Sequence, residues 1–306
     1  MNKVKILKTE ITAMPASALK NEVASMLRSK RAHKIGKVNT EFLLRSLNTE
    51  MFCDALNDCD CNIADGKGVL WAAKYLSLPL KAKQFSIFNF QFFIIAEAIW
   101  QMAYTGASLI FYPKYCRQPI GENIPGLDAM FLMLEAAQDA RESVYFFGAE
   151  EQILPKAIKG IQKKIPKLKI AGFHEGYNYK DTDMIKAINK SGAKLLIVAL
   201  GSPKQEYWIR DNLGKLENIR VAVGEGGSLD RIADPSEKAP KWMQAVSLEW
   251  LWRLFTGVNR TGDPDRRTKS RMGRIWNAVP VFIYNVVKWK LGEAGNAGVV
   301  GNVEDE

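Results

Sequence analysis

Three short stretches of this chain combine residue types that could do chemistry. In Asp65-Gly66-Lys67-Gly68 a carboxylate stands between a short apolar run, Cys61 to Ile63, and an amphipathic helical pattern reaching about Tyr75. A carboxylate at such a junction can act as a general base, ligate a metal or simply cap the helix, and residue type leaves all three open. The second stretch is LLIVALGSPKQEYWIRDNL, in which a buried strand ends at Leu200 and Gly201 turns the chain. Ser202-Pro203-Lys204-Gln205 then reads as an S-x-x-Q capping box with Pro at the first helical position. The free N–H groups of that helix start, with Lys204, would make an anion site suited to a diphosphate, although a capped helix without a ligand has the same sequence. The third is the turn from Val223 to Asp230, whose glycines Gly224, Gly226 and Gly227 allow either close approach to a ligand or plain flexibility.

Several chemistries lack their residues. Neither His33 nor His174 falls in a Ser/His/Asp or metal-ligand spacing, and GxxxxGK[ST], GxSxG and HExxH are absent. The Gly-x-Gly-Gly of the third stretch does not match the GxGxxG of dinucleotide-binding dehydrogenases. Asp181-Thr182-Asp183 reads as a helix start after a loop, not as a metal motif at a strand end. Four cysteines, Cys53, Cys59, Cys61 and Cys116, form no paired framework, which predicts buried thiols and a reducing compartment. The opening MNKVKILKTEI lacks the apolar core of a signal peptide, so a cytoplasmic location is expected.

The elements that must position these groups alternate along the chain. Strand patterns at Lys34 to Val38, Cys61 to Ile63, Val144 to Phe147, Leu168 to Phe173, Leu195 to Leu200 and Ile219 to Val223 are separated by helical patterns. The prediction is an α/β fold, a Rossmann-like, doubly wound and mostly parallel sheet. A strand near Val4 to Leu7 fits the same scheme.

With 47% hydrophobic and 25% charged residues, the 306-residue chain is neither disordered nor a disulfide scaffold. Its formal charge of +10 calls for an anionic partner: nucleic acid, a phosphorylated substrate or a membrane surface. Twelve Lys/Arg against five Asp/Glu, and five of the eight tryptophans, fall between residues 231 and 292. No nucleic-acid module is legible there, and VPVFIYNVVKWKL reads more like a helix lying on anionic lipid. The expected organisation is a core over 1–230, a basic, Trp-rich helical appendage over 231–292 that associates with membrane, and a disordered tail over 293–306. Within the core, about 84–113 forms an apolar insertion whose one charge is Glu97. It reads as a membrane span, an interfacial or re-entrant helical hairpin, or a buried core or oligomer contact; Glu97 and Gln101 in mid-run weigh against the span.

Taken in order, these motifs resemble the WecG/TagA/CpsF family of glycosyltransferases (glycosyltransferase family 26). The resemblance rests on Asn39-Thr40-Glu41, Asp65-Gly66-Lys67-Gly68, Gly126-Leu127-Asp128, Gly201-Ser202-Pro203-Lys204-Gln205-Glu206, Gly224 to Asp230, Lys238-Ala239-Pro240 and Glu249-Trp250-Leu251-Trp252-Arg253-Leu254. It implies inverting, metal-independent transfer of an N-acetylhexosamine, of the N-acetylmannosamine type or its uronic acid, from a UDP-sugar to a polyprenyl-diphosphate-linked saccharide. The place would be the cytoplasmic face of the cell membrane, with the protein peripheral or monotopic. The resemblance makes Asp65 the general base, and puts Asn39, Gly66, Tyr177, Gly201, Ser202, Lys204, Gln205, Glu206, Gly224, Gly226 and Asp230 around the substrates. Lys238, Arg253 and Arg260 would meet the acceptor diphosphate or the membrane. No cofactor and no nucleic acid are expected, and a homo-oligomer is compatible with the pattern. The chain departs from the family in Lys37 for a Thr, Asn123 for an Arg and Lys238 for the Arg of Arg-Ala-Pro. The rival reading is a non-catalytic α/β protein that binds membrane or nucleic acid.

Overall fold

The computed structural model describes residues 1–81, 90–234 and 277–296. Lys238, Arg253 and Arg260, the residues from Gln84 to Asn89 and most of the expected tail lie outside these. The chain begins with an antiparallel hairpin, β1 (Lys3–Ile6) and β2 (Thr9–Thr12). The strand expected near Val4 therefore does not join the parallel sheet. A two-residue connection, Leu7-Lys8 with Leu7 at φ 55°, folds it back on a partner that carries no Asn-Gly or Asp-Gly signal.

From there strand and helix alternate: α1 (Ala16–Arg28), β3 (His33–Val38), α2 (Thr40–Asn48), α3 (Glu50–Asn57), β4 (Cys61–Ala64) and α4 (Lys67–Ser77). After α5 (Phe90–Phe111), α6 (Pro113–Arg117) and α7 (Gly126–Asp139) come β5 (Ser143–Gly148), α8 (Leu154–Lys164), β6 (Lys169–His174), α9 (Asp181–Ser191), β7 (Leu195–Ala199) and α10 (Lys204–Asn212). The series continues with β8 (Val221–Gly224) and α11 (Ser228–Ala233), and α12 (Phe282–Asn296) is the last described element. Six strands form one sheet, all parallel, in the order β4-β3-β8-β7-β5-β6. The sheet has the expected Rossmann-like, doubly wound character.

Strand periodicity explains the layers. Leu195, Ile197 and Ala199 of β7 enter one core with Val23 and Leu27 of α1, Met130 and Leu134 of α7 and Ile158 of α8. Leu196 and Val198 point the other way, into a core closed by Met184 and Ile188 of α9 and Trp208 and Ile209 of α10. Both faces being covered, β7 is apolar and buried at all five positions.

A third apolar cluster joins the hairpin, α2, α3, α4 and α12. On α4, Trp71 donates its indole N–H to Thr105 Oγ1 of α5 at 3.0 Å, and the Tyr75 hydroxyl donates to the Ala98 carbonyl at 3.2 Å. The earlier α4 residue meets the later α5 residue, so the two helices run antiparallel. Phe282 of α12 packs edge-on against Trp71, and the buried Lys290 ammonium donates to the Tyr75 carbonyl and Gln101 Oε1.

The opposite side of α5 is bare. Phe92 and Trp100 are each 70% exposed and Phe111 85%, and an open groove of about 430 Å³ is lined by Phe92, Ile95, Ala96, Ile99, Trp100 and Ala103. The stretch Gln91–Phe111 is long and apolar enough to cross a bilayer, and its most apolar window is only 17% buried. The buried-core reading of this segment therefore fails: the helix spends one face on α4 and α12 and leaves its larger apolar surface outside.

Candidate active site

Parallel strands end together, and the loops after β4, β3, β8 and β7, four neighbours in the sheet, meet at one carboxyl edge. They bring to that edge Asp65, Asn39, the turn from Gly224 and the turn from Gly201. In sequence these groups are spread over most of the chain.

Asp65 extends the strand ladder, its N–H donating to the Val38 carbonyl at 2.8 Å. Its side chain does not cap α4, whose N-cap is Gly66 at φ 110° with no side-chain bond. Instead Oδ1 accepts the N–H of Gly126, the first residue of α7, at 3.2 Å. Asp65 stays half-buried, open to a substrate.

Beside it lies an ion pair that sequence reasoning did not anticipate. Lys37, near the end of β3, pairs through Nζ with Glu225 Oε2 and reaches the Gly126 carbonyl at 3.4 Å. Glu225 belongs to the turn after β8, where its N–H donates to the Val198 carbonyl at 2.7 Å. Its side chain is wholly buried, and burial pushes the carboxyl above the usual range while the Lys37 ammonium pulls it back. Desolvating two charges costs several kcal/mol per ion before their attraction repays it, so this pair is poor evidence of stability. The signals available in sequence were a Lys near the end of a strand, where the family has Thr, and a Glu among glycines.

The glycines of the third motif serve a close approach, and the approaching group is Gln205. A Cβ on Gly224 would lie 2.5 Å from Gln205 Nε2; one on Gly226 would lie 2.9 Å from Gln205 Oε1 and 3.1 Å from Gly201 Cα. Gln205 is 4% exposed and donates through Nε2 to Glu206 Oε1 at 2.7 Å. It is a wedge that fixes the two turns together. The expected capping box is accordingly not formed: α10 starts at Lys204 with Pro203 as an N-cap that makes no side-chain bond. Ser202 Oγ accepts from Arg45 Nη1 of α2 at 3.3 Å instead. Burial pushes the Glu206 carboxyl up, opposed by Gln205, Ser202 and Arg45.

The remaining expected residues divide by task. Asn39 is the N-cap of α2, its Oδ1 accepting the Phe42 N–H at 3.0 Å. Arg45, which sequence reasoning missed, projects from the same helix with its other nitrogen on Glu41; the i, i+4 spacing of those two was the signal. Lys204 is exposed, with its ammonium 4.9 Å above the Tyr179 ring. Tyr177 is 68% exposed and follows Gly176, where a Cβ would lie 2.8 Å from Leu200, so this loop sits beside the Gly201 turn and away from Asp65. Asp230 lies half-buried in the first turn of α11. Gly201 adopts φ 78°, a conformation that favours glycine.

Among the described residues no three His, Cys, Asp or Glu side chains gather as a metal-binding group. Cys59 and Cys61 are free thiols, raised by burial to about 12 and about 11; Cys61 is buried as expected and Cys59 partly so.

What this edge can do is take a proton at Asp65 while an anion rests against the exposed start of α10, about 14 Å away across three strand spacings. The model of the glycosyl transferase WecG/TagA/CpsF family matches residues 4–98 and 89–296. Relatives from Staphylococcus aureus strains NCTC 8325 / PS 47 and COL are 28% identical over 197 residues, covering 63% of this chain and 72% of each relative. The relative from strain MRSA252 matches to the same extent. All three are named N-acetylglucosaminyldiphosphoundecaprenol N-acetyl-beta-D-mannosaminyltransferase. With its fold, its motif order and a family match over most of its length, this chain belongs to the WecG/TagA/CpsF family of glycosyl transferases.

Proposed function

We propose that this protein transfers N-acetylmannosamine from a UDP-sugar to an N-acetylglucosaminyl-diphosphoundecaprenol acceptor, with inversion, at the cytoplasmic face of the membrane. The observation that carries the reading is the place of Asp65: a half-buried carboxylate at the end of β4, held by the Gly126 N–H, on the edge it shares with the Gly201 and Gly224 turns. The relatives' names supply the sugar and the acceptor.

In this mechanism the acceptor hydroxyl gives its proton to Asp65 as its oxygen bonds to the anomeric carbon. The bond from that carbon to the diphosphate oxygen breaks on the opposite face, and UDP leaves with the electron pair. Charge on the departing diphosphate is met by the N–H groups at the start of α10 and by Lys204, with Arg45 behind Ser202. The reading asks for no divalent ion. Gln205 acts indirectly, by holding the Gly201 and Gly224 turns in register.

The membrane half of the reading rests on α5. Its inner side is occupied by Trp71, Tyr75 and Lys290, so hydrocarbon cannot surround it, and an interfacial helix fits better than a span. Since α5 runs antiparallel to α4, which starts just after Asp65, its bare face leads toward the catalytic edge. A lipid-linked acceptor would arrive along it.

The test is UDP release by the purified chain with UDP-N-acetylmannosamine and N-acetylglucosaminyl-diphosphoundecaprenol in anionic vesicles, with and without EDTA. The reading expects release that requires both substrates and survives the chelator. Release with neither dependence on acceptor nor preference among UDP-N-acetylhexosamines would contradict it.

A further inference from the structure

Lys37 and Asp65 meet across Gly126. A Cβ placed on that glycine would lie 2.9 Å from Lys37 Nζ and 3.0 Å from Asp65 Oδ2. The ammonium and the carboxylate are therefore within about 6 Å of each other, close enough to act on one another. On its other side the ammonium is held by Glu225, a wholly buried carboxylate that has no other partner of ordinary hydrogen-bond geometry at Oε1.

The charged groups facing one another are Lys37 from β3, Asp65 from the end of β4 and Glu225 from the turn after β8. α7 adds the Gly126 N–H on Asp65 and the Gly126 carbonyl near Lys37, and α11 adds the Ser228 hydroxyl near Glu225. The three side chains come from three adjacent strands, and Gly126 has no side chain to separate them. A lysine that served only as packing would have no need of a buried carboxylate to aim it. The buried ion pair costs desolvation and is placed where it can act on the base.

We propose that Lys37, aimed by Glu225, is a positioning residue for the proton transfer at Asp65. Through Gly126, which takes the Lys37 ammonium at its carbonyl and gives its N–H to Asp65, it holds the Asp65 carboxylate toward the acceptor hydroxyl without touching the substrate. The proposal rests on Asp65 being the base, and the experiment separates the two claims. Turnover and donor KM are measured for the full chain as wild type, Lys37→Met and Lys37→Arg, with Asp65→Asn as a control.

Lys37→Met should lower kcat roughly tenfold or more while donor KM stays within about twofold of wild type, as expected when the base is held out of place and no donor contact is lost. Lys37→Arg, which keeps a cation beside the Gly126 carbonyl, should recover most of kcat. Should Lys37→Met fail to fold, Lys37→Met/Glu225→Gln replaces the ion pair with a neutral one, and the same loss of kcat is expected. Wild-type kcat in a folded variant lacking Lys37 overturns the proposal, as do Met and Arg variants that behave alike. Near-normal turnover in Asp65→Asn instead overturns the base assignment beneath it.

Discussion

At the carboxyl edge of the sheet, Lys37, Gln205 and Glu225 are polar groups held at 11% exposure or less, whereas along α5 Phe92, Trp100 and Phe111 are large apolar groups exposed by 70% or more. The first arrangement spends desolvation energy to hold charges and amides in fixed places, as a site must when a proton and a diphosphate are to be handled. The second leaves favourable burial unused, as a surface does when its partner is a bilayer or another apolar face. α4 joins them, starting beside Asp65 and packing its second and third turns on α5. On the proposed function, chemistry and docking lie on separate surfaces of one body, so each should be removable without the other.

The largest expected effect comes from Asp65→Asn. Turnover should fall about 10²- to 10⁴-fold, the contribution of a general base, with UDP affinity by calorimetry and the unfolding midpoint close to wild type. Retained turnover would return Asp65 to a helix-start ligand for Gly126. Next is the α5 face. Because Phe92 and Trp100 are already exposed, Phe92→Ser/Trp100→Ser should change stability by no more than about 0.5 kcal/mol per site. Cosedimentation with anionic vesicles should nonetheless weaken roughly 100-fold, the equivalent of about 3 kcal/mol of lost burial for the pair. Undiminished binding would move the docking surface elsewhere.

The smallest effect is at the join. Burial lowers Lys290 to about 8, with Glu97 partly opposing. Between that value and the ordinary 10.5 the unfolded chain binds a proton that the folded chain does not, so the penalty for burying the charge is present below about pH 8 and relieved as pH rises. Wild type should therefore gain about 2 kcal/mol on Lys290→Met between pH 8 and 10, measured by denaturant unfolding. A constant difference across that window would mean that the lysine titrates normally.

The parallel sheet was legible because buried strands such as Leu195 to Leu200 are continuous apolar runs, and the Asp65, Gly201 and Gly224 turns because each follows such a run. The β1–β2 hairpin was hidden by an unusual Leu-Lys turn. The capping box at Ser202 was misread because local pattern cannot see that Gly224 and Gly226, far along the chain, leave a gap for Gln205. The contacts of Lys37, Arg45 and Glu225 escaped for a similar reason. Their pairings, Lys37 with Glu225 and Arg45 with Ser202, cross 188 and 157 residues and exist only once neighbouring strands are in order.

One measurement bears most directly on the separation of chemistry from docking: the turnover of Phe92→Ser/Trp100→Ser relative to wild type on two acceptors. The first is N-acetylglucosaminyl-diphosphoundecaprenol in anionic vesicles, and the second is a water-soluble analogue with a short prenyl chain. The account predicts a large loss on the vesicle acceptor and turnover near wild type on the soluble one. Equal losses on both acceptors would contradict it, since α5 would then be part of the catalytic edge and not a separate surface for the membrane.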